Sequence, residues 1–254
     1  MSELTGRRSL VLCGTRGIGL GVAQCLARDG SVVTVSGTDQ ARADQVADAL
    51  PGSGHTGFSC DFAKPILVGH KVADTAPYDV VLLNTPGAAP GRIDAMSGEE
   101  LALSADLMLL SLHHAVTAAL PDMKANGWGR FIAITSTSVS SPIGGLAASS
   151  IMRAAVQSYL RLLAESVGAF GITVNHVIPG KIDTDRLHAV DTALAEHRGT
   201  DVGSLRDETV RSIPLGRYGR PEDVGELVSF LAGDRASYIT GAGIRCDGGY
   251  LRSL

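Results

Sequence analysis

Runs such as Val32-Val33-Thr34-Val35 and Val80-Val81-Leu82-Leu83 are apolar at successive positions rather than at alternate ones. A strand with that pattern must be buried on both faces, as in a parallel sheet covered by helices. Seven strand segments are predicted, at 9–13, 32–36, 57–60, 79–83, 129–135, 173–178 and 243–246. Amphipathic helical stretches separate them at 18–28, 40–50, 101–123, 147–167 and 222–231. Strand and helix in alternation predict an α/β fold, a doubly wound Rossmann-type seven-stranded parallel sheet with helices on both faces. The stretch 183–219 breaks the rhythm. It is polar, poor in strand character, and carries Leu187, Ala189, Val190, Leu194 and Leu205 among charged residues. An irregular excursion there reads as a substrate lid on a single domain spanning 1–254.

Composition narrows the function classes. Of 254 residues, 44% are hydrophobic and 19% charged, so a large core can form and disorder is excluded. The net charge of −4 comes with no basic stripe, which argues against nucleic acid and anionic membrane as partners. Cys13, Cys25, Cys60 and Cys246 show no CxxC or metal-ligand spacing, so they read as small buried hydrophobes in a reducing compartment, Cys13 and Cys60 within strand-like runs, and no metal is expected. Neither a signal-peptide core nor a run of about 18 uncharged apolar residues is present, which leads to the expectation of a cytoplasmic protein.

The first strand runs directly into Gly14-Thr15-Arg16-Gly17-Ile18-Gly19 and then a helical pattern. Glycines permit a tight turn and close approach of a pyrophosphate, and the helix start offers it unpaired N–H groups. In that position the cluster predicts a dinucleotide site. At the end of the second strand stand Ser36-Gly37-Thr38, with no acid to repel a 2′-phosphate, while Asp39 is placed to cap the next helix. Arg16 supplies a guanidinium that can pair with such a phosphate. NADP is therefore expected ahead of NAD.

These residues resemble the TGxxxGIG fingerprint of the short-chain dehydrogenase/reductase family, with Leu12 and Cys13 standing for its Thr and first Gly. Further landmarks follow in order along nearly the whole chain. Asp61 matches an adenine-contacting Asp, Asn84-Thr85-Pro86-Gly87 the NNAG loop, and Gly129-Arg130-Phe131-Ile132 the GRIV strand. Pro179-Gly180-Lys181-Ile182-Asp183-Thr184 matches PGxxxT; Arg220-Pro221-Glu222-Asp223-Val224 and Asp247-Gly248-Gly249 match the C-terminal signatures. The resemblance is to 3-oxoacyl-acyl-carrier-protein-reductase-like members. It implies cofactor contacts from Gly14 to Gly19 and from Ser36, Asp61, Asn84, Arg153, Pro179, Gly180, Ile182 and Thr184. It also implies a small carbonyl or alcohol substrate and association into a homodimer or homotetramer. The small residues at the start of helix 147–167 suit close helix approach, and Tyr250-Leu251-Arg252 resembles a tail that crosses a subunit boundary.

The family's catalytic set is mostly missing. Ser136 matches its serine, but Ser149 stands for the Tyr of YxxxK, Arg153 for the Lys, and Met108 for the central-helix Asn. A serine hydroxyl is a far weaker acid than a phenol, and a guanidinium does not relay protons. An Arg at this position also occurs in halohydrin dehalogenases, which keep the Tyr and lose the glycines; this chain does the reverse. Other candidate proton donors are Lys181 at the mouth of the sixth strand, His113, His114, His176, and a water held by Ser136 and Ser149. Tyr159 lies ten residues past Ser149, too far along the helix to replace the phenol. Three readings stay open: an NADP(H)-dependent oxidoreductase with a non-standard proton donor, a non-redox cyclase or isomerase, and a catalytically silent dinucleotide-binding subunit.

Overall fold

A computed structural model describes residues 3–252. Seven strands form one parallel sheet: β1 (Arg8–Val11), β2 (Val32–Gly37), β3 (Thr56–Ser59), β4 (Val80–Leu83), β5 (Gly129–Ile134), β6 (Ile172–Pro179) and β7 (Gly243–Cys246), in the order β3-β2-β1-β4-β5-β6-β7. Leu10 pairs with Thr34 on one side and Val81 on the other. The strand order reverses at β1, so a crevice opens between the carboxyl ends of β1 and β4, where ligands of such sheets bind.

Alternation along the strands explains the two cores. Leu10, Val81, Leu83, Phe131 and Val174 face one helical layer; Val11, Val80, Leu82, Ile132 and Val177 face the other. The second layer contains α1 (Gly17–Arg28), α2 (Gln40–Ala49) and α9 (Pro221–Ala232). Here α1 and α9 touch through glycine: a Cβ on Gly21 would come within 2.6 Å of Pro221, and one on Gly225 within 2.6 Å of Cys25 Sγ. Asp39 caps α2, accepting the Arg42 N–H at 2.6 Å.

The opposite layer holds α3 (Pro65–Thr75), α5 (Ser111–Asn126) and α6 (Ala147–Val167). The periodicity misses α3, because Ile66 and Leu67 are exposed while Gly69 lies on the buried face against His114. The helix expected at 101–123 starts earlier, as α4 (Gly98–Ala105) with a Ser97–Glu100 capping box, passes through a π-helical stretch at Asp106–Leu110, and continues into α5. Taken together, Gly98–Asn126 is long and apolar enough to cross a membrane, with an 18-residue window of mean hydropathy 1.3. In this fold, however, Leu112, Ala115, Val116 and Ala119 bury its inner face in the core.

Residues 183–219 are not irregular. They contain α7 (Asp185–Arg198) and α8 (Val202–Ser212), capped by Thr184 and Asp201. Buried Leu205 and Ala195 hold them, with the Tyr218 hydroxyl donating to Asp191 at 3.0 Å. Cys13 and Cys60 both lie just past strand ends rather than inside strands. All four cysteines are free, and burial pushes the Cys13 thiol up to about 12.

Candidate active site

The loop after β1 is built by close approaches. Cys13 takes a left-handed φ of 50°, where the family fingerprint has glycine. The Gly14 N–H donates to Ser36 O at 2.8 Å, and the Cys13 N–H to Ser36 Oγ at 3.2 Å. A Cβ on Gly19 would overlap Cys13 O and lie 3.0 Å from Asn84 Nδ2, which donates to that same oxygen at 3.3 Å. Gly17 has φ +53°, and a Cβ there would sit 3.3 Å from Thr184 Cγ2. A Cβ on Gly37 would meet Thr15 at 2.7 Å. Thus Thr15, Gly17, Gly19, Asn84 and Thr184 surround one cradle.

The donor set of this cradle fits a pyrophosphate. Helix α1 begins with no side-chain cap and no acid in its first turn, so its first N–H groups and its positive end face the loop. Arg16, the N-cap, is exposed and in no ion pair among the described residues. Ile18 is half-buried against the α1-side core.

Several expected contacts are placed differently. Ser36 is fully buried, because its hydroxyl serves the turn from beneath; it supports the loop instead of facing a ligand. Asp61 is exposed at the end of β3, accepting the Ala63 N–H at 3.0 Å, with Lys64 3.6 Å away. Pro179 ends β6 and is buried; Gly180 is needed because a Cβ would lie 2.7 Å from Asp247 Cα. Ile182 is buried, bridges to Gly219, and carries the chain to Thr184.

Ser136 follows β5 and caps a 3-10 turn, accepting the Ser138 N–H at 3.2 Å. Arg153 is 8% exposed and donates to Ile134 O at 2.6 Å, pinning α6 to the end of β5 beside that serine. Ser149 is half-buried one turn earlier on α6, roughly 6 Å along the axis. Burial, with help from the neighbouring Arg186 charge, lowers the Arg153 guanidinium to about 10, so it stays charged at neutral pH. Behind this set Met108 packs with Ala88, Ala148 and Met152, an apolar wall at the position matched to the family's central-helix Asn. Thr85 Oγ1 and Ser138 Oγ, at the ends of β4 and β5, are buried with no hydrogen-bond partner.

The other proton-donor candidates stand apart. Lys181 lines a cavity of about 540 Å³ with Pro214, Leu215, Arg217, Arg245 and Asp247, whose walls include none of Ser136, Ser149 and Arg153. The reason is local: the Lys181 carbonyl accepts the Gly219 N–H at 2.8 Å, which sets that residue against the 214–219 loop. His176 is a core histidine, its Nδ1 2.9 Å from Thr135 Oγ1, and burial lowers its pKa. His113 is exposed and bonds the Tyr159 hydroxyl at 3.0 Å, while His114 packs on Gly69 of α3. Burial pushes the Tyr159 phenol up to about 12.

One residue at the cleft had no signal in the sequence pattern. Arg186, in the first turn of α7, turns its guanidinium back to the loop after β4: a Cβ on Gly87 would overlap it, and Nη2 donates to Ala88 O at 3.4 Å. The partner lies 98 positions away, beyond any local pattern.

Known proteins share this fold. A family model described as enoyl-(acyl carrier protein) reductase matches residues 13–251. The chain is 31% identical to the 3-oxoacyl-(acyl-carrier-protein) reductase FabG of Pseudomonas aeruginosa, over 99% of this chain and 100% of that one. Among solved structures it is similar to YwfH, an NADPH dependent reductase involved in bacilysin biosynthesis, with TM-score 0.91 and 26% identity over 98% of this chain and 99% of that one. It is also similar to a 3-oxoacyl (acyl-carrier-protein) reductase from Agrobacterium tumefaciens C58 with NADP bound, with TM-score 0.86 and 28% identity over 97% and 95% of the two chains.

Proposed function

This chain belongs to the short-chain dehydrogenase/reductase family of oxidoreductases, and from that premise we propose that it interconverts a small ketone and its alcohol with NADP(H), using a proton donor other than a tyrosine. The observation that carries this reading is the cradle at the β1–β4 crevice, where Gly17 and Gly19 leave room and an uncapped helix end supplies donors. The NADP bound in a relative's structure supports the same assignment. Arg16, exposed beside the loop, pairs with the 2′-phosphate and sets the preference over NAD. Asn84, Thr184 and backbone groups of residues 180–182 complete the dinucleotide site.

When bound, the dinucleotide would supply the hydride. Ser136 orients the carbonyl, and a water held between Ser136 and Ser149 delivers the proton to oxygen as hydride adds to carbon. Arg153, charged and desolvated, holds the cofactor ribose and stabilises negative charge developing on that oxygen. Residues 183–219 act as the lid of a single domain. Exposed Ile151 and Leu162 on α6, with Leu103 and Leu110 nearby in the chain before α5, suit a homodimer or homotetramer.

Calorimetry with NADPH and NADH, followed by NADPH absorbance over a ketone panel, tests this. NADPH is expected to bind more tightly than NADH, and Arg16→Ala to erase roughly a tenfold preference. If neither nucleotide binds, the reading is overturned. Binding without turnover on any ketone shifts it to a non-redox protein.

A further inference from the structure

Two cleft-side arginines of this protein have acids. Arg206 meets Asp183 at 2.9 Å and Arg217 meets Asp223 at 2.7 Å. Arg153 and Arg186 differ from both. Neither takes part in an ion pair among the described residues, and each is met only by a backbone carbonyl, Ile134 O and Ala88 O. Asp185, next to Arg186 in the chain, makes no ion pair with it, and Asp183 is engaged by Arg206 and His188. The Arg186 charge lowers the Arg153 pKa, and Ala88, which Arg186 meets, packs with Ala148 and Met152 of α6, next to Arg153 in the chain. Arg186 is exposed, but Arg153 is buried, and a buried guanidinium with one carbonyl and a second cation for company is costly unless an anion joins it.

Two anions could take that place, a dinucleotide phosphate or a substrate carboxylate. The pyrophosphate already has its own donors at α1, on the β1 side of the crevice. Arg186 instead lies against Gly87 and Ala88 beyond β4, and Arg153 at the end of β5, beside Ser136. That is the half of the cleft where the reacting carbonyl is to be held.

We propose that Arg186, with the positive charge of Arg153 on its cofactor side, grips the carboxylate of the substrate, so that the protein acts on a short oxo acid and its hydroxy acid. This rests on the oxidoreductase reading above and narrows its substrate. Guanidinium forks match carboxylate geometry, and a charge-assisted pair fixes the acid end while Ser136 and Ser149 face the ketone. The reaction balances: hydride from NADPH adds to the ketone carbon, a proton from water adds to its oxygen, and a hydroxy acid, NADP+ and hydroxide result. Arg186 is a specificity residue here; it does not move the proton.

The test measures binding, so it does not depend on turnover. Calorimetry compares 2-oxobutanoate, acetoacetate and levulinate with their methyl esters, on the NADP+ complex and on the protein alone, in wild type and Arg186→Gln. At least one acid is expected to bind ten- to a hundredfold more tightly than its ester in wild type, and Arg186→Gln is expected to remove that advantage while leaving NADPH affinity and ester affinity within about threefold. If every acid and ester bind alike, the assignment falls. It also falls if Arg186→Gln weakens NADPH while sparing the acid, because the pair then serves the dinucleotide. Should wild type bind no dinucleotide, the oxidoreductase reading fails separately, and the acid titration of the protein alone still decides the arginine pair. Should Arg186→Gln not fold, Arg186→Lys replaces it and is expected to keep a reduced acid preference; an unchanged preference there counts against the fork geometry.

Discussion

Among the described residues, Arg130 and Arg153 are the two buried arginines, 2% and 8% exposed, and they have opposite surroundings. Arg130 lies at the amino end of β5, 4.0 Å over the Trp128 ring. It donates to the Gly129 and Gly171 carbonyls and has Asp234 at 3.6 Å. Arg153 reaches the other end of the same strand with one carbonyl and a second arginine. One charge is neutralised by the fold; the other is left for something the fold does not contain. Burial alone therefore says little about role; partnership does.

Substitution sharpens that contrast. The largest effect is expected from Arg153→Met, which should lower NADPH-supported turnover roughly a hundredfold in steady-state kinetics, while leaving unfolding free energy within about 1 kcal/mol of wild type. An equally large stability loss would make Arg153 structural and dissolve the distinction. Arg130→Met should do the reverse. Denaturant unfolding is expected to show a loss of about 2 kcal/mol, because two carbonyls and an aromatic face lose their cation, with turnover per folded molecule unchanged.

His176 shows what burial does to a charge that can be given up. Its folded pKa lies below the ordinary 6.5, because desolvation disfavours the imidazolium. As pH falls below that value the unfolded chain takes the proton first, so stability present above about pH 6.5 declines as pH falls toward the folded pKa. Thermal melts from pH 7 to 5 are expected to fall less steeply in His176→Gln; parallel curves would sink this. The smallest effect concerns Cys13. Its left-handed φ of 50° favours glycine, but glycine also loosens the unfolded chain, so Cys13→Gly should shift stability by less than about 1 kcal/mol. A loss of several would mean that the thiol, and not the backbone, holds the phosphate loop.

Much of the architecture was legible without coordinates. Apolar runs in alternation with helical stretches located all seven strands, and the glycines after the first of them located the crevice. Legibility stopped where local pattern and long-range contact diverge. Helix α3 hid because two of its large apolar residues face outward, and α7 and α8 hid because they are mostly exposed and so carry no apolar stripe. Ser36 looked available for a ribose, yet a hydroxyl in the strand-end turn is consumed by the backbone it supports. Lys181 sat at the right place in the chain, but the pairing of residues 181–183 with Gly219 puts it along another cavity.

Residue order by itself determined the parallel sheet, the phosphate cradle and the spacing of Ser149 and Arg153 one helical turn apart, since each depends on spacings within a few residues. Tertiary structure alone decided which charges are neutralised. Arg153 meets a carbonyl 19 positions away and Arg186 one 98 positions away. The free energy of a guanidinium depends on how much water and which acids surround it in space, and chain order does not specify those.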